Sequence, residues 1–147
     1  CGSMPVNSTF TVSVTGTIVP ECSVIAEDLN FGTRNALTTA VNGSTTIAVK
    51  CTPAATYSLR LNGGSVMGAV SNRRMAREGG NGAGVVRYQL YQDSSRTQVW
   101  GDATGGTFPT GTGNGTPRTF TVYGRVDVQA TPVPGVYKDV VTATVEY

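Results

Sequence analysis

Between Ser8 and Val19 apolar and polar residues alternate. Phe10, Val12, Val14 and Ile18 fall on one face, with Gly16 completing the row, and Thr9, Thr11, Ser13, Thr15 and Thr17 fall on the other. A period of two is that of a half-buried strand. Chain ends fray unless something ties them down, so a strand this early needs a partner. The same alternation recurs downstream. Thr45, Ile47, Val49 and Cys51 oppose Thr46, Ala48 and Lys50, and Tyr57, Leu59 and Leu61 oppose Ser58 and Arg60 before a stop at Asn62-Gly63-Gly64. Val86, Tyr88 and Leu90 share a face, as do Phe120, Val122 and Val126. After the Pro134-Gly135 turn, Val141, Ala143, Val145 and Tyr147 align. No window of helical length keeps a helical apolar period. Short alternating strands split by Gly/Pro-rich turns predict an all-β sandwich.

Two stretches break the rhythm. Val70 to Gly84 carries Arg73, Arg74 and Arg77 on a glycine-rich run; it lacks the P-loop spacing, so it reads as a solvated loop rather than a phosphate cradle. Gly101 to Pro117 is rich in Gly and Thr and reads as a long mobile hairpin loop. A calcium site there would need clustered acids, and only Asp102 is present. Trp100, ending a strand, reads as core rather than as a sugar-stacking platform.

Composition narrows the chemistry. A chain of 147 residues is most simply one domain. A net charge of +2, with 14% charged residues, gives no argument for nucleic acid or a membrane surface as partner. No run approaches the roughly 18 apolar residues of a membrane span. No leader segment is visible, so a secreted form of this chain would already be mature. The chain has no histidine, which excludes Ser-His-Asp and Cys-His arrangements and removes the commonest metal ligand. The nine acids are scattered, and the adjacent Glu27 and Asp28 would point to opposite faces of a strand, so surface solvation accounts for them. The expectation is a protein that is not an enzyme, with no catalytic residues, metal, cofactor or small-molecule substrate.

The cysteines are Cys1, Cys22 and Cys51. Cys22 and Cys51 each sit among alternating strand residues, which suits a disulfide between neighbouring strands; the plainer alternative is two buried free thiols in a cytosolic protein. The bond would imply the periplasm or the exterior. Cys1, in Cys1-Gly2-Ser3-Met4, is expected to be a plain terminus or a cloning remnant rather than a lipidated cysteine.

Several blocks then fall in a recognisable order: LNFGT after a cysteine, IAVKCT with a second, YSLRLNGG, RRM, YQLYQDSSRTQVWGD, FTVYGRV and the closing PGVYKDVVTATVEY. From Cys22 to Tyr147 the chain resembles spore coat protein U domains, which include subunits of archaic chaperone–usher pili. It departs from them in Cys1 and in the glycine-rich stretch from Gly79 to Gly84.

The resemblance implies an incomplete immunoglobulin-like β-sandwich lacking its last strand, completed by a donor strand from another subunit. Residues 1–19 would be the N-terminal donor segment and 20–147 the domain. The function implied is that of a structural pilus subunit, polymerising by donor-strand complementation for surface attachment and biofilm formation. Its partners would be identical or related pilin subunits, a periplasmic chaperone and an outer-membrane usher, and it would reach the bacterial surface via the periplasm. Phe10, Val12, Val14, Gly16 and Ile18 would form the donor row. Val141, Ala143, Val145 and Tyr147, with no later strand to cover them, would line the acceptor groove. Val19-Pro20-Glu21 lacks the turn signal of a tight hairpin, so the donor segment is not expected to fold straight back. A spare strand and an open edge, joined head to tail, build a filament. Two other classes remain open: a carbohydrate-binding adhesin using the loops near Phe108, and a non-polymerising coat or matrix protein in which residues 9–19 are the first strand of a closed sandwich.

Overall fold

Alternation turns into burial most fully in β2 (Val41–Cys51) and β3 (Thr56–Leu61). Val41, Ile47, Val49 and Cys51 of β2 are buried, as are Tyr57, Leu59 and Leu61 of β3. The computed structural model describes Gly2, residues 7–80 and residues 84–147; the expectation about Cys1 lies outside the described residues. The other strands are β1 (Cys22–Ala26), β4 (Arg74–Arg77), β5 (Val85–Arg87), β6 (Gln89–Tyr91), β7 (Thr110–Thr112), β8 (Arg118–Val126), β9 (Tyr137–Lys138) and β10 (Ala143–Glu146). Among the described residues the only helical turn is a 3₁₀ turn at Val70–Asn72.

Every ladder between these strands is antiparallel. Sheet order is β1-β2-β8-β6 in the first sheet, β10-β3-β7 in the second and β5-β4-β9 in the third. Ile47, Val49, Leu90 and Val122 of the first sheet meet Tyr57, Leu59 and Leu61 of the second in one apolar cluster. Trp100 is fully buried in that cluster, as the sequence predicts, and its indole Nε1 donates to the Leu59 carbonyl at 2.9 Å. The third sheet connects the other two through its own chain: β5 runs into β6 across Tyr88, and β9 runs towards β10 across residues 139–142. The result is an all-β, incomplete immunoglobulin-like sandwich.

Tertiary pairing cuts two predicted strands. The run from Val85 to Tyr91 changes partner at Tyr88, from β4 to β8. The closing run likewise changes from β4 to β3. The stretch from Val70 is not a solvated loop, because it supplies β4 and places Arg73 in the interior at 1% exposure. The Gly/Thr-rich stretch is not a free hairpin loop either. Gly101 N donates to Thr107 O at 2.7 Å and Gly113 N to Ala55 O at 2.8 Å, and β7 pairs with β3. Small side chains here serve close backbone approach.

Cys22 and Cys51 face each other in the β1–β2 register and form a disulfide with a sequence separation of 29. Replacing both by serine is expected to lower stability by about 3.5 kcal/mol, from the lost constraint on the unfolded chain. Urea denaturation of the double variant against wild type measures it.

Candidate functional site

β1 and β10 are each one edge strand of the two main sheets, β6 and β7 being the others, and no strand among the described residues pairs with the free edges of β1 and β10. A cleft of about 590 Å³ opens on that side. Its floor is Ile47, Leu61, Leu90 and Val122; residues 26–31 form one wall, and residues 136–141 with Ala143 the other. The cleft takes in only Ala26 of β1 and Ala143 of β10; beyond them the two strands lie close together.

The first wall is set by the chain leaving β1. Glu27 N donates to Thr46 O at 3.0 Å, and Thr45 Oγ1 donates to Glu27 O at 3.0 Å, holding the chain on β2 for one more residue. Leu29 and Phe31 then fold over Gly43 and Gly124, which pair directly across β2 and β8. A methyl group at Gly124 would stand 2.6 Å from Leu29 Cδ2 and 2.8 Å from Phe31 Cζ. These two facing glycines form the recess that the Leu29 and Phe31 side chains fill. Phe31 also leans on Tyr88, with ring centroids 6.4 Å apart.

The second wall is held by polar groups. Tyr88 Oη donates to Asp139 Oδ2 at 2.6 Å. Burial, and then the hydrogen bond and charge of Asp139, push the Tyr88 hydroxyl far above its ordinary value. Asp139 Oδ1 accepts from Ser65 N, Ser65 Oγ, Val66 N and Val140 N. Behind it Arg73 donates Nη2 to the carbonyls of Leu61, Asn62 and Trp100 at 3.0, 2.7 and 2.7 Å, and Nη1 to Gln89 Oε1 at 2.6 Å. Burial pulls the Arg73 pKa down, against the charges of Tyr88, Asp102 and Asp139, which raise it. These groups spend their bonds on the fold. What remains is a cleft walled by residues 26–31 and 136–141, beside the ends of two strand edges that enter no further ladder.

The sequence-predicted residues fall in different places. Val141 and Ala143 line the cleft. Val145 is half-buried against the core, and Tyr147 lies in a second cleft of about 370 Å³ with Ile18, Val19, Pro20 and residues 52–56. Phe10, Val12, Val14 and Ile18 are 90%, 81%, 90% and 90% exposed, so the body of their own chain does not use them. Nothing comes within 4 Å of a side chain built at Gly16. Residues 7–21 enter no ladder. Sequence reasoning missed the floor as a site, although its residues read as inward-facing. It also missed Asp139, taken for a solvated acid.

Comparison with known proteins finds a family model and solved structures that match. The family model described as Spore Coat Protein U domain matches residues 8–144. A chain in the crystal structure of the CsuC–CsuE chaperone–tip adhesion subunit pre-assembly complex, from archaic chaperone–usher Csu pili of Acinetobacter baumannii, shares the fold with a TM-score of 0.63 at 24% identity. That likeness covers 89% of this chain and 40% of that one, so this chain spans well under half its length. No curated protein matches.

Arg73→Met leaves three buried carbonyls short of a donor and is expected to cost roughly 2–4 kcal/mol in urea denaturation. Arg87→Met, at an exposed position, should stay within about 0.5 kcal/mol. A second outcome follows from Tyr88. A group whose folded pKa is raised contributes stability that is complete below its unfolded value and is lost above it. The wild-type melting temperature is therefore expected to fall above about pH 10 more steeply than that of Tyr88→Phe.

Proposed function

The chain belongs to the Spore Coat Protein U domain family, and from that premise we propose that it is a structural subunit of an archaic chaperone–usher pilus, polymerising by donor-strand complementation. The observation that carries this reading is a pairing of opposites. One end of the molecule presents an apolar-faced extended segment with four large side chains in water, and one side presents an apolar trough with no strand in it.

Residues 1–19 are the donor segment and 20–147 the receiving domain. Phe10, Val12, Val14 and Ile18 enter the cleft of a neighbouring copy, with Gly16 between them. Burying the four side chains is worth roughly 6–12 kcal/mol gross, to which ladder bonds with β1 and β10 add and from which ordering the tail subtracts. Entry parts β1 from β10 and extends the groove from Val141 and Ala143 to Val145 and Tyr147. Glu21 N donates to Thr52 Oγ1 at 3.0 Å and Thr52 N to Glu21 O at 2.9 Å, which anchors the base of the tail beside residues 52–56. The tail leaves its own cleft empty.

Before assembly a periplasmic chaperone covers the cleft, because bare strand edges invite aggregation. An outer-membrane usher then exchanges that cover for the next subunit, and the filament serves surface attachment and biofilm formation. The adhesin alternative draws less support: Phe108 is half-buried, with the Arg60 guanidinium 4.6 Å over its ring. A self-complete coat or matrix protein fits an open cleft poorly.

Val14→Asp tests the reading, since a carboxylate in the centre of the donor row faces an apolar floor and costs several kcal/mol on insertion. The variant is expected to accumulate with its chaperone at wild-type yield, and electron microscopy should find no fibres. Loss of the folded subunit itself would instead make residues 9–19 part of their own domain.

A further inference from the structure

The glycine-rich run without a P-loop pattern supplies β4 and leads into β5, and with β9 these strands make a small sheet of two unlike faces. Met75 and Val86 turn towards the core, and Met75 also lines the cleft. The other face carries Arg74 opposite Arg87, and Ala76 opposite both Val85 and Lys138. Tyr88 N donates to Arg73 O at 3.1 Å, which makes residues 73 and 88 a hydrogen-bonded pair of the antiparallel ladder. Arg74 and Arg87 are therefore the next, non-hydrogen-bonded pair. In such a pair the facing side chains stand closest, with Cβ atoms about 4.5–5.5 Å apart.

Like charges directly opposite each other on a ladder oppose folding. Among the described residues no carboxylate pairs with either guanidinium. Glu78, the sole acid between them in sequence, is taken by Lys138 at 3.0 Å. Asp127 stands 3.9 Å from Arg125, and Asp139 accepts from Tyr88, Ser65 and Val66. Both arginines are nevertheless held in place. Arg74 Nε donates to Asn72 Oδ1 at 3.0 Å, which leaves Nη1 and Nη2 for an outside acceptor. Gln129 Oε1 accepts from Arg87 N and Gln129 Nε2 donates to Arg87 O, each at 2.9 Å, so the Arg87 backbone is fixed from the far side of the ladder.

Two guanidinium forks, side by side and uncompensated, match a single group with two charges and several acceptor oxygens. We propose that Arg74 and Arg87 form a binding site for a phosphate monoester. A dianion between them replaces repulsion with two attractions, and its three outer oxygens accept from both forks at once. A carboxylate, with one charge, does half of this. The donors are side chains rather than loop amides, so no P-loop spacing announces them. The site stands apart from the donor-strand reading, since neither arginine lines the cleft.

The test titrates the full chain with glucose 6-phosphate, ionic strength being held constant with sodium chloride, and follows the arginine Nε–Hε signals by NMR. The Arg74 and Arg87 signals are expected to shift saturably, and sodium acetate to bind about tenfold more weakly. Arg74→Gln and Arg87→Gln are each expected to weaken the sugar phosphate by about tenfold, as the loss of a hydrogen bond between charged groups does. Lys50→Gln, at an exposed position of β2, is expected to leave binding unchanged. Vesicles containing phosphatidate, added as competitor, distinguish the source of the monoester: displacement of the sugar phosphate assigns the site to a lipid headgroup, and none assigns it to a soluble ester. No saturable shift, shifts that acetate or chloride reproduces at equal concentration, or binding that survives in the Arg74→Gln, Arg87→Gln double variant overturns the site. The comparison of phosphate with acetate uses the wild type alone, so it decides the matter even where a variant fails to fold.

Discussion

One apolar layer shared by two sheets, bordered by a cleft beside the ends of β1 and β10, is the constraint on which the rest of this structure depends. Leu59, Val49 and Trp100 are sealed within the layer, and Ile47, Leu61, Leu90 and Val122, buried too, border the cleft from beneath. A sandwich in this state gives up burial that a further strand would supply, and it leaves two rows of backbone groups without ladder partners. Both deficits are met by one object, an extended chain with apolar residues at every second position. The molecule carries such a segment on itself and does not spend it on its own core. On the proposed reading, association and folding draw on the same surface.

Around that apolar layer the specificity of shape comes from a polar knot. Arg73 is buried with carbonyls and an amide for partners, an arrangement whose desolvation is expensive and whose geometry is correspondingly exacting. It joins the end of β3, the start of β6 and the strand exit at Trp100. Asp139 extends the same network to the crossing between β9 and β10. Hydrophobic burial alone would tolerate many positions of these segments, whereas five guanidinium bonds and a saturated carboxylate tolerate few.

The core was legible because period-two alternation needs nothing beyond the chain itself. Ile47, Val49, Tyr57, Leu59, Leu61, Val86, Tyr88, Leu90 and Val122 are inward in both readings, and Trp100 is core in both. The polar interior was not legible. Arg73, Arg74 and Arg77 look alike in a glycine-rich run, yet one is buried and another exposed. What separates them is the position of three carbonyls contributed by residues 61, 62 and 100, which no local pattern reports. Asp139 was hidden for the same reason, its donors lying at residues 65, 66 and 88.

By itself, then, the sequence determined the core strands β2, β3 and β8, most of the inward set, the cysteine pairing as the favoured reading and the spare apolar row from Phe10 to Ile18, since each follows from side-chain order along an extended backbone; β4 and β7 lie in stretches that read as loops. Only the tertiary structure decided where strands change sheets, at Tyr88 and across residues 139–142, which inward residues border the cleft, and that Val141 and Ala143 border it while Tyr147 lies apart from it. Alternation reports which face of a strand turns inward. Whether anything lies over that face depends on strands distant in sequence, and their placement is settled by hydrogen bonds and packing that exist only once the chain has folded.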